Sequence, residues 1–227
     1  MLRTIRLIIL GLILLLGGAW TYAWVSRAPG QSVGEAFIAL LGGASGGGDA
    51  GPVSAGGVQL PTGLALGGSF SLVNQEGKPV TERDFGGGWM LIYFGYTFCP
   101  DVCPTELGTL AAAIDQLGPA GAKVVPVFIT VDPQRDTPAH LADYVSRFHP
   151  RMQGLTGTPE QVAEAARRYR VYYAKAQRPE MTDYLMDHSS FIYLVGPDAK
   201  VRSLFRPEQS PETIAATIAA QIGRPTG

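Results

Sequence analysis

The chain has 227 residues and a formal net charge of −1 at pH 7. That length suits one well-packed domain with appendages, and without a basic excess no nucleic-acid partner is expected. Its two cysteines are too few for a fold held together by disulfides. Eight of the 29 glycines lie within residues 42–58, which indicates a linker there rather than part of a folded domain.

The first 25 residues have the pattern of a membrane anchor. Arg3 and Arg6 precede an uncharged run over residues 7–25, and nineteen helical residues reach roughly 29 Å, about the thickness of the hydrocarbon core. The arginines predict a cytoplasmic N-terminus and an exported remainder. We therefore expect a single-pass protein of a bacterial-type inner (cytoplasmic) membrane with a periplasmic domain. A cleaved signal peptide is the alternative, and it exports the domain equally.

The predicted organisation has four parts. A cytoplasmic n-region covers residues 1–6, the transmembrane anchor 7–25, a flexible glycine-rich tether 26–59 and a folded domain 60–227. The tether's glycine-rich stretch, residues 42–58, has a root-mean-square length of about 23 Å, so it lets the domain search near the membrane.

Strand and helix patterns alternate through the folded domain. Apolar and polar residues alternate on both sides of a turn at residues 75–77, which predicts an early β-hairpin. Further strands are predicted over residues 89–94, 123–131, 171–173, 189–195 and 200–205. Prolines open the four predicted helices, at Pro104, Pro138, Pro159 and Pro211. This order predicts an α/β fold of the thioredoxin-like type, with a sheet of mixed direction flanked by helices on both faces.

Two further predictions concern a proline inside a strand and a loop before a strand. Pro126 interrupts the second apolar strand, which favours an edge position or a bulge there because proline cannot donate to a β-ladder. Residues 178–187 are polar and predict a loop that leads directly to the strand after His188.

The only two cysteines, Cys99 and Cys103, lie where the apolar strand 89–94 gives way to the helix opened by Pro104. A helix N-terminus carries partial positive charge, which favours thiolate, and thiolate is both the nucleophile and the metal ligand. Three intervening residues bring the thiols close enough to share a metal or form a disulfide. Spacing alone leaves metal binding, redox chemistry and a structural disulfide open.

His188 is the candidate third group, because a histidine at a strand edge in this fold can lie opposite the dithiol. Asp187 precedes it and is a candidate supporting residue. Asp132 ends the second apolar strand near the same edge, where it either tunes the charge of the site or caps a turn with Arg135. His140 and His149 are predicted to be surface or capping residues. They lie within and at the end of the helix that Pro138 opens.

Four separated motifs together resemble the Sco/SenC copper proteins: Cys-Pro-Asp-Val-Cys-Pro at 99–104, Asp-Pro-Gln-Arg-Asp-Thr-Pro at 132–138, Leu-Thr-Gly-Thr at 155–158 and Asp-Tyr-x-x-Asp-His-Ser at 183–189. The resemblance extends over about residues 67–222 and includes the single anchor and tether. One departure is visible, Ala199 where a glycine often follows Gly-Pro-Asp, and it concerns only a hairpin turn.

The resemblance implies a thioredoxin-like domain that binds one copper, Cu(I) or Cu(II), through Cys99, Cys103 and His188. It also implies delivery to the cytochrome c oxidase subunit that carries the dinuclear copper site, with an upstream copper donor and a thiol reductant as further partners. The residue chemistry agrees, because two thiolates and an imidazole suit Cu(I), whereas structural zinc generally takes four ligands.

The main alternative is a thiol–disulfide oxidoreductase that reduces the cysteines of the oxidase copper site, with Cys99 and Cys103 as the redox pair. Thioredoxin-like enzymes resemble one another in a C-x-x-C spacing that this chain lacks. A peroxidase of the peroxiredoxin type is disfavoured, because Tyr96 stands where that family has a threonine. A tethered binding module with a structural disulfide would leave His188 and Asp132 without a role.

Overall fold

The computed structural model describes residues 66–85, 87–177 and 183–223, together with positions 6, 11, 17, 18, 21 and 22. The chain divides into two units, Met1–Val53 and Ser54–Gly227, and the sheet and its helices belong to the second. Apart from isolated positions, the predicted anchor at 7–25 and tether at 26–59 lie outside the described residues. Within the part of the chain that is described, no helix is both long enough and apolar enough to cross a bilayer.

The second unit is an α/β domain of alternating strands and helices. Its strands are β1 Ser71–Asn74, β2 Pro79–Thr81, β3 Trp89–Gly95, β4 Val124–Thr130, β5 Gln153–Thr156, β6 Tyr173–Ala176, β7 Leu185–His188, β8 Ile192–Val195 and β9 Val201–Phe205. Its α-helices are α1 Val102–Gln116, α2 Pro138–Ser146, α3 Pro159–Arg168 and α4 Pro211–Ile222.

Seven strands form one sheet in the order β2-β1-β5-β4-β3-β8-β9, and β6 and β7 form a separate two-stranded ribbon. The central strands β3, β4 and β5 run parallel, whereas the outer pairings are antiparallel. The mixed direction confirms the predicted thioredoxin-like class of sheet, and the hairpin of β1 and β2 confirms the early turn.

All seven residues of β3 are buried, so both faces of the sheet are covered at its centre. Helix α1 packs against α4, α2 packs on β5 and α3 packs on β1. Three helices have the same start: a capping hydroxyl residue followed by proline as the first helical residue. The capping side chain accepts a hydrogen bond from the backbone N–H three residues later. The caps are Thr137 for α2, Thr158 for α3 and Ser210 for α4.

Pro126 does not mark an edge or a bulge, so that prediction is wrong. Strand β4 is interior and pairs with β3 along its whole length without a register shift. Its pairing with β5 begins only at Val127. The missing backbone N–H of Pro126 therefore breaks no hydrogen bond between β4 and β5.

The region before the last strands also differs from the prediction. Residues 185–187 belong to β7 rather than to a loop, and His188 is the last residue of that strand. Strand β5 was not predicted at all. Both strands are four residues long and are defined by pairing with distant partners rather than by a local apolar run.

Candidate metal centre

Cys99 and Cys103 lie at the carboxyl end of β3, where the chain turns into α1. Helix α1 begins at Val102, two residues before Pro104, so Cys103 lies in its first turn. The Cys103 backbone N–H donates to the Cys99 sulfur over 3.4 Å, which places that sulfur at the positive end of the helix. Both thiols are free, and both side chains are buried.

His188 joins the two cysteines from the separate ribbon. Its Nε2 lies 3.3 Å from the Cys103 sulfur, and one ligand atom from each of the three residues falls within 4.8 Å of the others. Its Nδ1 lies 3.1 Å from the Ser189 carbonyl oxygen. Because a carbonyl can only accept, Nδ1 carries the proton, and Nε2 is left as the atom that can bind a metal.

The two thiols differ in protonation. A hydrogen bond from Cys103 lowers the pKa of Cys99 to about 4 against the opposing effect of burial, with smaller help from His188 and from backbone N–H groups. The same hydrogen bond and burial raise the pKa of Cys103 above the ordinary range. The pair therefore holds one proton, on the buried Cys103, and presents Cys99 as thiolate.

Aromatic side chains surround the imidazole. Tyr93 and Tyr96 each meet the His188 ring edge-on, with ring centroids 6.1 and 5.8 Å away. Phe98 is 50% exposed beside Cys99 and also meets the His140 ring edge-on. His140 is thus close to the site, but it is not part of the cluster of ligand atoms.

Asp132 supports the ribbon rather than contributing a ligand. It is buried and bonded to Arg135, and it accepts a hydrogen bond of 2.9 Å from the Tyr184 hydroxyl. The Arg135 guanidinium lies 3.8 Å from the centre of the Tyr184 ring and donates to the Tyr184 carbonyl over 3.0 Å. Since Tyr184 directly precedes β7, these contacts hold the strand that carries His188.

The remaining predicted residues lie apart from the ligand atoms. Asp187 is exposed, and strand alternation directs it away from the face of β7 that carries His188. His149, predicted to be a surface or capping residue, is instead buried, and its Nδ1 accepts from the Arg151 N–H over 3.1 Å. Burial lowers the pKa of His149.

Asp136 is a structural support that the sequence motifs do not identify. Thr137 caps α2, while the buried Asp136 carboxylate accepts from the Thr97 N–H and hydroxyl over 3.1 and 2.6 Å and from the Thr130 hydroxyl over 2.6 Å. Burial raises its pKa despite these bonds. Asp136 thereby fixes the loop that leads to Cys99. No local pattern in the sequence shows this role, because the Thr97 partner lies 39 residues away.

Comparisons with known proteins agree with the described geometry. The SCO1/SenC family model matches residues 59–223. The mitochondrial SCO1 homolog 1 of Arabidopsis thaliana is 46% identical over 159 residues, which are 70% of this chain and 47% of that protein. The mitochondrial SCO2 homolog of Mus musculus is 48% identical over 157 residues, which are 68% of this chain and 62% of that protein. The chain thus matches about half to three fifths of the length of these relatives.

A solved structure extends the likeness to the fold and the metal. The crystal structure of Arabidopsis thaliana ScoI with copper bound is 45% identical, with a TM-score of 0.66, and covers 70% of this chain and 98% of that chain. A homologous structure therefore holds copper, and the described residues of this chain include a Cys-Cys-His group able to hold one metal ion.

The relatives correct one prediction. The expected location in a bacterial-type inner membrane is contradicted, because these curated relatives are mitochondrial proteins. Two arginines before an apolar run indicate which side of a membrane a segment faces, but they do not identify the membrane.

Proposed function

This chain belongs to the SCO1/SenC family, and from that premise we propose that it is a copper metallochaperone. It binds one copper ion through Cys99, Cys103 and His188 and delivers the ion to the dinuclear copper centre of cytochrome c oxidase. The observation that carries the proposal is the convergence of two sulfurs and one imidazole nitrogen within 4.8 Å.

The donor set favours copper over other metals. Thiolates are soft ligands that suit Cu(I), and imidazole suits Cu(I) and Cu(II) alike. Structural zinc generally takes four protein ligands, and only three donors meet among the described residues. Copper is the cargo here, so an incomplete set of ligands has a use: three protein ligands leave one side open to an incoming ligand of the client.

The surrounding residues prepare the donors in different ways. The hydrogen bond from the Cys103 side chain, with smaller help from His188 and the α1 N-terminus, lowers the pKa of Cys99 and favours its thiolate, whereas Cys103 must release its proton when it becomes a ligand. The Ser189 carbonyl orients the imidazole and keeps Nε2 free. Copper retention should therefore weaken at low pH, because protons compete for the sulfurs.

The proposal includes the organisation of the whole chain. An uncharged run at 7–25 is long enough to anchor the protein in a membrane, residues 26–59 are the tether, and residues 60–227 are the copper-binding domain. The partners are the oxidase subunit that carries the dinuclear copper site, an upstream copper donor and a thiol reductant. Support for these partners comes from the family resemblance.

Copper stoichiometry tests the ligand assignment. The purified protein is reduced, loaded anaerobically with Cu(I), passed through a chelating column and analysed for bound metal. We expect one copper per chain, and strongly reduced retention for Cys99→Ser, Cys103→Ser and His188→Ala. His140→Ala is the matched control, since His140 lies near the site without joining the ligand atoms. Full retention by His188→Ala would refute the assignment.

Delivery needs a separate readout. Copper-loaded protein is mixed with a metal-free fragment of the oxidase subunit, and the dinuclear centre is followed by its visible absorption. We expect transfer that depends on all three ligands. Retention of copper without transfer to the fragment would support a copper protein that does not act on this client.

Thiol–disulfide exchange is the second candidate function, and the unequal protonation of the two thiols favours it. Cys99, as thiolate, would attack a disulfide of the client, and Cys103 would then resolve the mixed disulfide, so that two electrons pass to the client. His188→Ala separates the candidates, because it removes a copper ligand but leaves both thiols. A reductase would retain most of its activity in that variant, whereas a copper carrier would not.

A further inference from the structure

The guanidinium of Arg135 lies against aromatic rings from both parts of the candidate metal site. Its central carbon is 4.7 Å from the centre of the Phe98 ring and 3.8 Å from the centre of the Tyr184 ring. Phe98 directly precedes Cys99, and Tyr184 directly precedes the strand β7 that ends at His188. One side chain thus contacts both the turn that carries a sulfur and the ribbon that carries the imidazole.

Arg135 itself is anchored to the main sheet. Its backbone N–H donates to the Asp132 carbonyl over 3.2 Å, and its Nε forms an ion pair with the Asp132 carboxylate. Asp132 is buried just after β4, and its own N–H donates to the Thr130 hydroxyl over 2.9 Å. The guanidinium is therefore tied to the interior of the fold, whereas β6 and β7 form a ribbon outside that sheet.

Hydrogen bonding alone does not account for the position of the guanidinium. Nη1 of Arg135 donates to the Tyr184 carbonyl over 3.0 Å, but Nη2 is buried without a hydrogen-bond partner among the described residues. Burying a charged donor without an acceptor is unfavourable, so another interaction must favour this position. Stacking on aromatic rings is that interaction, because a guanidinium is planar, weakly hydrated and attracted to the electron-rich face of a ring.

From these contacts we propose that Arg135 is a positioning residue that fixes the turn of Cys99 relative to the ribbon of His188. A third ring supports this role, because Tyr96 lies 5.8 Å from the guanidinium carbon and meets the His188 ring edge-on. The role requires a planar cation rather than a positive charge alone. Lysine would keep the charge opposite Asp132, but it cannot stack on the rings and donate through a rigid fork at the same time.

The consequence for the candidate metal site is preorganisation. One ligand atom from each of Cys99, Cys103 and His188 lies within 4.8 Å of the others. Donors that are held in place bind a metal more tightly than donors that must be ordered on binding. Residues that orient metal ligands typically change metal affinity by about 10–100-fold. On the proposed function, replacing Arg135 should therefore weaken Cu(I) binding by about tenfold.

The first test uses the metal-free full-length protein and does not depend on the proposed function. Hydrogen–deuterium exchange of backbone amides is compared for the parent, Arg135→Lys, Arg135→Met and Arg151→Met. Arg151→Met is the matched control, because the Arg151 guanidinium is also partly buried and donates to the Gly121 and Val124 carbonyls near the start of β4, away from the site. We expect both Arg135 variants to exchange the amides of β7 about tenfold faster while β3 keeps the parent rate, and the control to leave β7 unchanged.

Three results of this experiment would overturn the proposal. Unchanged exchange in β7 would show that Arg135 does not hold the ribbon. Equally faster exchange in β3 and β7 would show that Arg135 contributes only to overall stability. Parent-like exchange in Arg135→Lys would show that charge alone is sufficient.

The second test rests on the proposed function and measures Cu(I) affinity by competition with a chelator. We expect about tenfold weaker binding for Arg135→Lys, weaker binding for Phe98→Leu, and parent affinity for Arg151→Met. The double variant of Arg135→Lys and Phe98→Leu should lose no more than Arg135→Lys alone, because the Phe98 ring acts through the guanidinium. Parent affinity in Arg135→Lys, or losses that multiply in the double variant, would refute the role of Arg135. A parent that binds no Cu(I) would refute the proposed function instead, and hydrogen exchange would then decide the role of Arg135 by itself.

Discussion

Gly95 is the point at which the core of the sheet and the candidate metal site meet, and its substitution should damage both. It is the last residue of β3 and pairs with Thr130. A Cβ added there would lie 3.0 Å from each of three atoms: the Cys103 sulfur, Cε2 of Phe128 and Cε1 of Tyr93. All three side chains are fully buried, so none can move into solvent.

The expected cost follows from these contacts. Carbon atoms pack best at roughly 3.5–4.0 Å, so three neighbours must each give way by half an ångström or more. Overpacking of this kind typically costs about 1–3 kcal/mol, and alanine returns about 0.4–1 kcal/mol by restricting the unfolded chain. We therefore expect Gly95→Ala to lower the free energy of unfolding by about 1–2 kcal/mol. It should also weaken copper retention, because the Cys103 sulfur is one of the atoms displaced.

Urea denaturation of the metal-free protein, followed by tyrosine and tryptophan fluorescence, measures the first effect, and competition with a Cu(I) chelator measures the second. Gly108→Ala is the matched control. Gly108 is exposed within α1, and an added Cβ meets nothing within 4 Å. The same substitution should therefore stabilise the protein there by about 0.5–1 kcal/mol. If Gly95→Ala were as stable as the parent and retained copper normally, the packing argument would be wrong.

Three further predictions concern charge, hydrogen bonding and backbone conformation. The pKa of Cys99 is lowered to about 4, so this residue should remain a thiolate over most of the accessible pH range. Its rate of alkylation by iodoacetamide in the metal-free protein should stay nearly constant from about pH 8 to 5 and fall only as the pH drops through the folded-state pKa. An ordinary free cysteine loses reactivity below about pH 8.5. Asp136→Ala should lower the free energy of unfolding, measured by urea denaturation, by about 3 kcal/mol, because it leaves three hydrogen-bond donors unsatisfied. Asp136→Asn should cost less than about 1 kcal/mol, because a threonine hydroxyl can accept from the new amide instead of donating to the carboxylate. Equal losses in the two variants would contradict this account. Ala199 has a φ of 61°, a left-handed backbone conformation that glycine adopts more easily than alanine. In thermal denaturation, Ala199→Gly should therefore raise the free energy of unfolding by about 0.5 kcal/mol. The same substitution at Ala216, on the exposed face of α4, should lower it by about 1 kcal/mol.

The parts of the fold that follow from local patterns could be predicted from the sequence. Strand β3 is an unbroken apolar run, and α1, α2, α3 and α4 all carry a proline in their first turn, so each element is marked by its own residues. The position of the two cysteines follows from the same logic, because they lie where β3 gives way to α1.

The parts that depend on distant partners could not be predicted. Strand β5 contains Gly154 and only one large apolar residue, and it becomes a strand because β4 and β1 pair with it on either side. The residues of β7 by themselves indicate a polar loop, and they form a strand because β6 pairs with them. The same limit applies to Asp136, whose partners at Thr97 and Thr130 lie up to 39 residues away.

The position of His188 on β7 gives Asp132 a physical role that neither charge tuning nor turn capping describes fully. The two sulfurs belong to the rigid junction of β3 and α1, whereas the imidazole belongs to a ribbon outside the main sheet. The ribbon is attached beside the site through polar contacts, the Tyr184 hydroxyl on Asp132 and the Arg135 guanidinium on the Tyr184 carbonyl and ring. Losing these contacts would release the imidazole while leaving both sulfurs fixed. Asp132 therefore acts on the candidate third ligand, His188, through the ribbon rather than by direct contact with the cluster of ligand atoms.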